Sequence, residues 1–104
     1  MTDPLALKIK NAVASVLQKS PSVHKAVLFG SYAKGTHAPR SDVDIALYGD
    51  VDFLEVENII CDLDELPFTQ KFDVIAYNLV DNTALREHIT RVGVVVYEKK
   101  GNAP

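Results

Sequence analysis

Apolar residues recur along this chain at two periods, one helical and one alternating, and the switches between them predict its elements. Leu5, Ile9, Val13, Val16 and Leu17 fall near helical spacing behind Asp3-Pro4, where the aspartate can cap a helix and the proline can occupy its first position. An amphipathic helix ending near Ser20-Pro21 follows. Val23 to Phe29 (VHKAVLF) is β-branched and apolar, and too short for a helix between Pro21 and Gly30, so it reads as a buried strand. Gly30-Ser31 then turns the chain into YAKG, which has room for one or two helical turns, and into the polar loop THAPRS. From Asp42 to Tyr48 the alternation is strict, with Val43, Ile45 and Leu47 on one face and Asp42, Asp44, Ala46 and Tyr48 on the other. This is a second strand.

Asp52 can cap the next helix, with Glu55 three residues on, and Val56, Ile59, Ile60 and Leu63 form its buried stripe until Pro67 forbids continuation. A third strand is expected from about Lys71 to Tyr77. Asn82 to Arg91 reads as a short helix with Leu85 and Ile89 inward, Gly93 sits where a helix C-terminus wants it, and VVVY forms a last strand before a frayed tail over about 98–104. Helices and strands therefore alternate without internal repeat or linker. The expectation is a single α/β domain over residues 1–104, a mixed sheet of about four strands packed with helices, since the short segment between the first two strands permits an antiparallel pair.

Composition narrows the partners. The 104 residues carry 11 Lys plus Arg against 14 Asp plus Glu, a formal net charge of −3, and 47% are hydrophobic. That is the balance of an ordinary globular domain. Without a cluster of basic residues, a face that neutralises many phosphates of duplex nucleic acid is not expected. Cys61 is the one cysteine, and the start MTDPLALKIK lacks the pattern of a secretory signal, which makes the reducing cytoplasm the expected compartment. Apolar runs of about four residues fall far short of the roughly 20 that span a membrane.

The candidate chemistry lies in two neighbouring features. At Gly30 the backbone can approach a phosphate with no Cβ in the way, and the Ser31 hydroxyl and the N–H groups after it can donate to phosphate oxygens. Asp42 and Asp44, two apart on a strand, point to one face with Cα atoms roughly 7 Å apart, a separation that one or two Mg²⁺ ions can bridge. Asp73, whose flanking Phe72 and Val74 face the other way, becomes a third carboxylate if the third strand lies beside the second. Such a set suits in-line displacement on a nucleoside triphosphate, with Asp73 against the attacking hydroxyl. Singly, a Gly-Ser pair is an ordinary turn and alternating aspartates an ordinary solvent face. Jointly, Gly-Ser followed after ten intervening residues by Asp-x-Asp arises by chance in about one sequence in a thousand at average residue frequencies.

These residues resemble a known family. GSYAKGTHAPRSDVDIAL is similar to the signature of the DNA polymerase beta-type nucleotidyltransferases, and the likeness runs from about Val23 to Tyr97. Within that superfamily, a short chain with the ending IxxxGVVVY resembles the minimal nucleotidyltransferases. The resemblance implies a polymerase beta-like core, ATP as substrate and Mg²⁺ as cofactor. It implies Gly30, Ser31, Lys34 and Arg40 as the nucleotide-binding residues, and Asp42, Asp44 and Asp73 as metal ligands and catalytic carboxylates. Many relatives carry arginine where this chain has Lys34, which keeps the charge and loses the bidentate fork. Larger members hold their acceptor with an additional domain. The resemblance therefore also implies a partner, a small all-helical HEPN protein. In such pairs the HEPN protein is an RNA-cleaving toxin, and the nucleotidyltransferase acts as antitoxin by moving AMP from ATP to a tyrosine hydroxyl of the toxin.

Two other readings remain open at this level, a nucleotidyltransferase with a small-molecule acceptor and a non-catalytic nucleotide-binding module that neutralises its partner by docking. His37 and Arg40, between cradle and carboxylates, stand within reach of triphosphate or acceptor unless the loop is simply solvated. Tyr32 is open between stacking on a base and covering the sheet edge. His24 and His88 lack a spaced set of co-ligands for zinc. Cys61, beside the apolar stripe of its helix, reads as a small core residue. The polarity of THAPRS and DELPFTQ makes them candidate docking segments.

Overall fold

Every apolar segment with a clear period folds into the element that the period dictates. A computed structural model of the chain describes residues 4–30 and 42–99. Helix α1 (Pro4–Leu17) buries Ile9, Val13, Val16 and Leu17. It stops short of the predicted Ser20-Pro21 because its last turn tightens: the N–H groups of Lys19 and Ser20 bond to the carbonyls of Val16 and Leu17, three residues back. Strands β1 (Val23–Phe29) and β2 (Val43–Gly49) follow, then helix α2 (Phe53–Asp64). As its sequence predicts, α2 is capped by Asp52, whose carboxylate accepts from the Glu55 N–H at 2.8 Å. Strand β3 (Phe72–Ala76), a 3₁₀ turn (Tyr77–Leu79), helix α3 (Thr83–Val92) and strand β4 (Val94–Glu98) complete the described elements. The expected strand over Lys71 to Tyr77 loses its last residue to that turn, which the Val80 N–H closes on the Tyr77 carbonyl. The short segment YAKG and the loop THAPRS lie outside the described residues.

The sheet runs β3-β2-β1-β4 and is mixed. β1 pairs antiparallel with β2 and with β4, while β2 and β3 are parallel, joined by α2 as a parallel pair requires. One face carries the main core, where Ile9, Val13 and Leu17 of α1 and Val56, Ile59 and Leu63 of α2 meet Ile45, Leu47, Val74 and Leu28 of the sheet. The other face carries a smaller cluster, Val27 and Ala46 under Ile89 of α3, with Leu85 and Ile75 against it. This second cluster explains why Ala46, on the aspartate side of its strand, is fully buried. Among the described residues no helix is long and apolar enough to cross a membrane.

Two expectations about single residues are corrected. Cys61 is exposed rather than in the core, because the stripe of α2 buries Val56, Ile59 and Leu63 and turns position 61 outward. Gly93 does follow the last turn of α3, its N–H bonding to the Ile89 carbonyl, yet its backbone is extended (φ −65°, ψ 139°) and needs no left-handed residue. Space selects the glycine instead. A Cβ there would come within 2.6 Å of the Ile89 carbonyl oxygen and 3.2 Å of the Val27 side chain, at the point where α3 turns down onto the sheet.

Candidate active site

Strand register builds the site. Phe29, the last residue of β1, pairs with Asp44 of β2, and Asp44 pairs on its other side with Asp73 of β3. Because Val43, Ile45, Phe72 and Val74 are buried in the main core, alternation turns Asp44 and Asp73 to the opposite face, side by side on adjacent strands. Asp42 precedes the strand by one residue and is exposed, as Asp73 is, whereas Asp44 is only partly accessible. The conditional expectation about Asp73 is thus met in its structural half: β3 does lie beside β2.

Gly30 contributes more than a turn. It has φ +80°, a region that residues with a Cβ rarely occupy, and a Cβ built on it collides with the Asp44 carboxylate oxygen Oδ2, with Asp44 Cγ 3.2 Å away. The space that a side chain would fill is where Asp44 keeps its carboxylate. Reasoning from sequence assigned this glycine to phosphate approach and missed its packing against Asp44, a contact between residues fourteen apart that only the antiparallel pairing creates.

Burial is the first cause that raises the Asp44 pKa above its ordinary value, followed by the charges of Asp73 and then Asp42. Asp73 and Asp42 are therefore both close enough to destabilise the ionised form of Asp44. A divalent cation relieves such a set, and oxygen donors are what Mg²⁺ takes. No group of three or more histidine, cysteine, aspartate or glutamate side chains among the described residues is drawn together tightly enough to hold a metal by itself. That is compatible with Mg²⁺, which binds through one or two carboxylates and completes its shell with water and substrate phosphates. Of the expected nucleotide-binding residues, Gly30 is placed at this corner of the sheet, while Ser31, Lys34 and Arg40, with Tyr32 and His37, lie outside the described residues.

The same sheet face holds a second polar arrangement at its other end. Lys25 Nζ stands 4.6 Å from the Tyr48 ring, Tyr48 stacks on Tyr77 with centroids 4.4 Å apart, and the Arg86 guanidinium lies 4.6 Å from the Tyr77 ring. The Tyr77 hydroxyl meets Thr90 Oγ1 at 3.3 Å, and that oxygen donates to the Arg86 carbonyl at 3.0 Å. Lys25 of β1, Tyr48 of β2, Tyr77 of the 3₁₀ turn and Arg86 of α3 form this stack, and only the strand alternation of Tyr48 hinted at it.

The family model described as polymerase beta, nucleotidyltransferase matches residues 11–102, nearly the whole chain and all the carboxylates just described. The chain belongs to the polymerase beta nucleotidyltransferase family. This nucleotidyltransferase is also 55% identical over 31 residues to a Methanocaldococcus jannaschii protein whose description as a protein adenylyltransferase is itself inferred; the stretch is 30% of this chain and 31% of that protein. Among solved structures, a toxin-antitoxin complex with AMP-PNP contains a chain that superposes with a TM-score of 0.74 at 22% identity, covering 88% of this chain and 74% of the other. A complex of tri-AMPylated Shewanella oneidensis HEPN toxin with its MNT antitoxin gives 0.70 at 18% identity over 91% and 74% of the two chains. A Sulfolobus solfataricus protein described as a nucleotidyltransferase gives 0.59 at 18% identity over 93% and 85%. At these identities the likeness is one of fold, and the nucleotidyltransferase fold is shared across all three.

Proposed function

We propose that this nucleotidyltransferase moves AMP from ATP to a hydroxyl, a tyrosine's, on a partner protein of the HEPN class, and that it is the antitoxin of that pair in the reducing cytoplasm. The reading rests on one observation above the others, the Asp44–Asp73 pairing on parallel strands with Asp42 two residues before Asp44, immediately ahead of β2. The family supports transfer of a nucleotidyl group, and the complexes that share the fold include one whose toxin carries AMP. Asp42 and Asp44 would hold Mg²⁺, with Asp73 as a third ligand. When bound, the ion neutralises the carboxylates and the triphosphate and stabilises charge on the leaving pyrophosphate. Gly30 and Ser31, with Lys34 and Arg40, hold the triphosphate. Asp73 accepts the proton of the acceptor hydroxyl as its oxygen bonds to the α-phosphorus. The bond from that phosphorus to the β-phosphate bridge breaks, and pyrophosphate leaves.

The test is incubation of host lysate with Mg²⁺ and ATP labelled at the α-phosphate, comparing wild type with Asp42→Ala and separating products by size. A labelled protein formed by wild type alone is the expected result. Label in a small-molecule fraction would replace the acceptor class, and no label despite metal-dependent ATP binding would replace transfer with docking.

A further inference from the structure

The proposed reaction uses the beginning of β3, and the end of that strand carries a feature it leaves unused. β3 is an edge strand among the described residues. Beside it opens a hollow of about 270 Å³ walled by Phe53, Val56, Val74, Ala76, Leu79 and Val80. Phe53 is 74% exposed, Leu54 next to it 70%, and Leu79 38%. A phenylalanine and a leucine facing water in the first turn of α2 contribute little burial to the fold, although both are side chains that folding ordinarily encloses. A clustered apolar surface of this kind at the mouth of a hollow marks a contact site.

Charge indicates what covers it. Residues 41–70 hold nine of the chain's fourteen acidic residues and no lysine or arginine. Asp50, Asp52 and Glu57 are exposed on either side of Phe53 and Leu54, and Asp81 is exposed just beyond Val80. A second copy of the chain would set one acidic rim against another, which opposes self-association through this face. A partner with lysines or arginines around one apolar side chain satisfies both the rim and the hollow.

We infer that the hollow at the open edge of β3 is the docking surface for a basic partner protein, which seats an apolar side chain between Phe53 and Leu79. The inference rests on the adenylyl-transfer reading in taking that partner to be the acceptor. Position supports the link. Asp73 and Ala76 lie on the same strand, about 10 Å apart at roughly 3.3 Å per residue but on opposite faces of the sheet, so a partner anchored at the hollow reaches the carboxylates by passing around the edge of β3. The outer backbone edge of β3, which pairs with no strand among the described residues, runs between the two and suits the addition of an extended segment.

The experiment uses the full chain. Labelling of the acceptor from α-labelled ATP is compared for wild type, Phe53→Ser, Phe53→Ser/Leu79→Ser and the control Leu7→Ser, an exposed position on α1, with melting curves and ATP binding measured on each. The expected result is labelling reduced at least tenfold in the double variant and clearly in Phe53→Ser, unchanged in Leu7→Ser, and weakened for wild type by added salt, while ATP binding holds throughout. Equal labelling by Phe53→Ser and wild type would overturn the docking surface and leave adenylyl transfer standing. If wild type labels no protein, transfer itself fails, and a photocrosslinker at position 53 then decides the surface. A basic protein that crosslinks there and, once purified, binds wild type but not Phe53→Ser sustains it. Crosslinks to a second copy of the chain, or none, overturn it.

Discussion

Asp44 and Gly30 are a single arrangement at the residue scale, a carboxylate kept where a glycine has no side chain. Gly30→Ala adds one methyl group, yet it meets both the φ of +80° and the Asp44 oxygen. We expect a loss of about 1–3 kcal/mol in stability, read by thermal melting, and transfer activity reduced out of proportion because Asp44 must move. Asp44→Asn should behave in the opposite way. Its folded-state pKa is raised, so the folded protein holds this proton more tightly than the unfolded chain does, and the carboxylate costs stability as pH rises through that pKa. Metal-free Asp44→Asn should therefore melt higher than wild type at neutral pH, with the difference gone below about pH 3, where the aspartate is protonated in both states. Its transfer activity should fall about 100-fold or more. A lower melting temperature for Asp44→Asn at neutral pH would contradict this account. The aspartate pair and the Gly-Ser turn were legible in the sequence because alternation and spacing are local; the contact between Gly30 and Asp44 was not, because it depends on the pairing of Phe29 with Asp44.

Elements show the same division between local and distant causes. The Asp52 cap could be read directly, its carboxylate accepting from the N–H three residues on at 2.8 Å, whereas Asn82, expected as the first residue of its helix, caps it in the same way at 3.0 Å. Inside β1, however, alternation misleads, since Val23, Ala26 and Leu28 share the main core although the first two are an odd number apart. The cause is a bulge, in which Val23 faces Gly49 and Lys25 faces Tyr48, leaving His24 as an extra residue that reverses the faces beyond it. Helix α3 depends on one side chain in a comparable way. Ile89 is its one buried residue, pressed on Val27 and Ala46. Ile89→Ala should cost about 2–5 kcal/mol, measurable by denaturant unfolding. The loss should exceed that from Leu85→Ala, which is only partly buried; equal losses would show that the helix is held elsewhere.

For the whole molecule, the sheet order builds the candidate site by placing β2 between β1 and β3, so that Asp44 has Phe29, next to Gly30, on one side and Asp73 on the other. If these carboxylates hold Mg²⁺, adding the ion should raise the melting temperature of wild type by mass action and leave that of Asp44→Asn nearly unchanged. A shift of the same size in both proteins would place the ion elsewhere. By itself the sequence determined the element types, the mixed α/β class and the residue types of the candidate site, because hydrophobic period, capping chemistry and turn residues act over a few positions along the chain. Tertiary structure alone decided that Asp73 stands beside Asp44, that Ala46 is buried and Cys61 exposed, and that Tyr48 stacks on Tyr77. Each of these follows from strand register and from which helix covers which face, and register is fixed by bulges and by close packing between segments far apart in sequence.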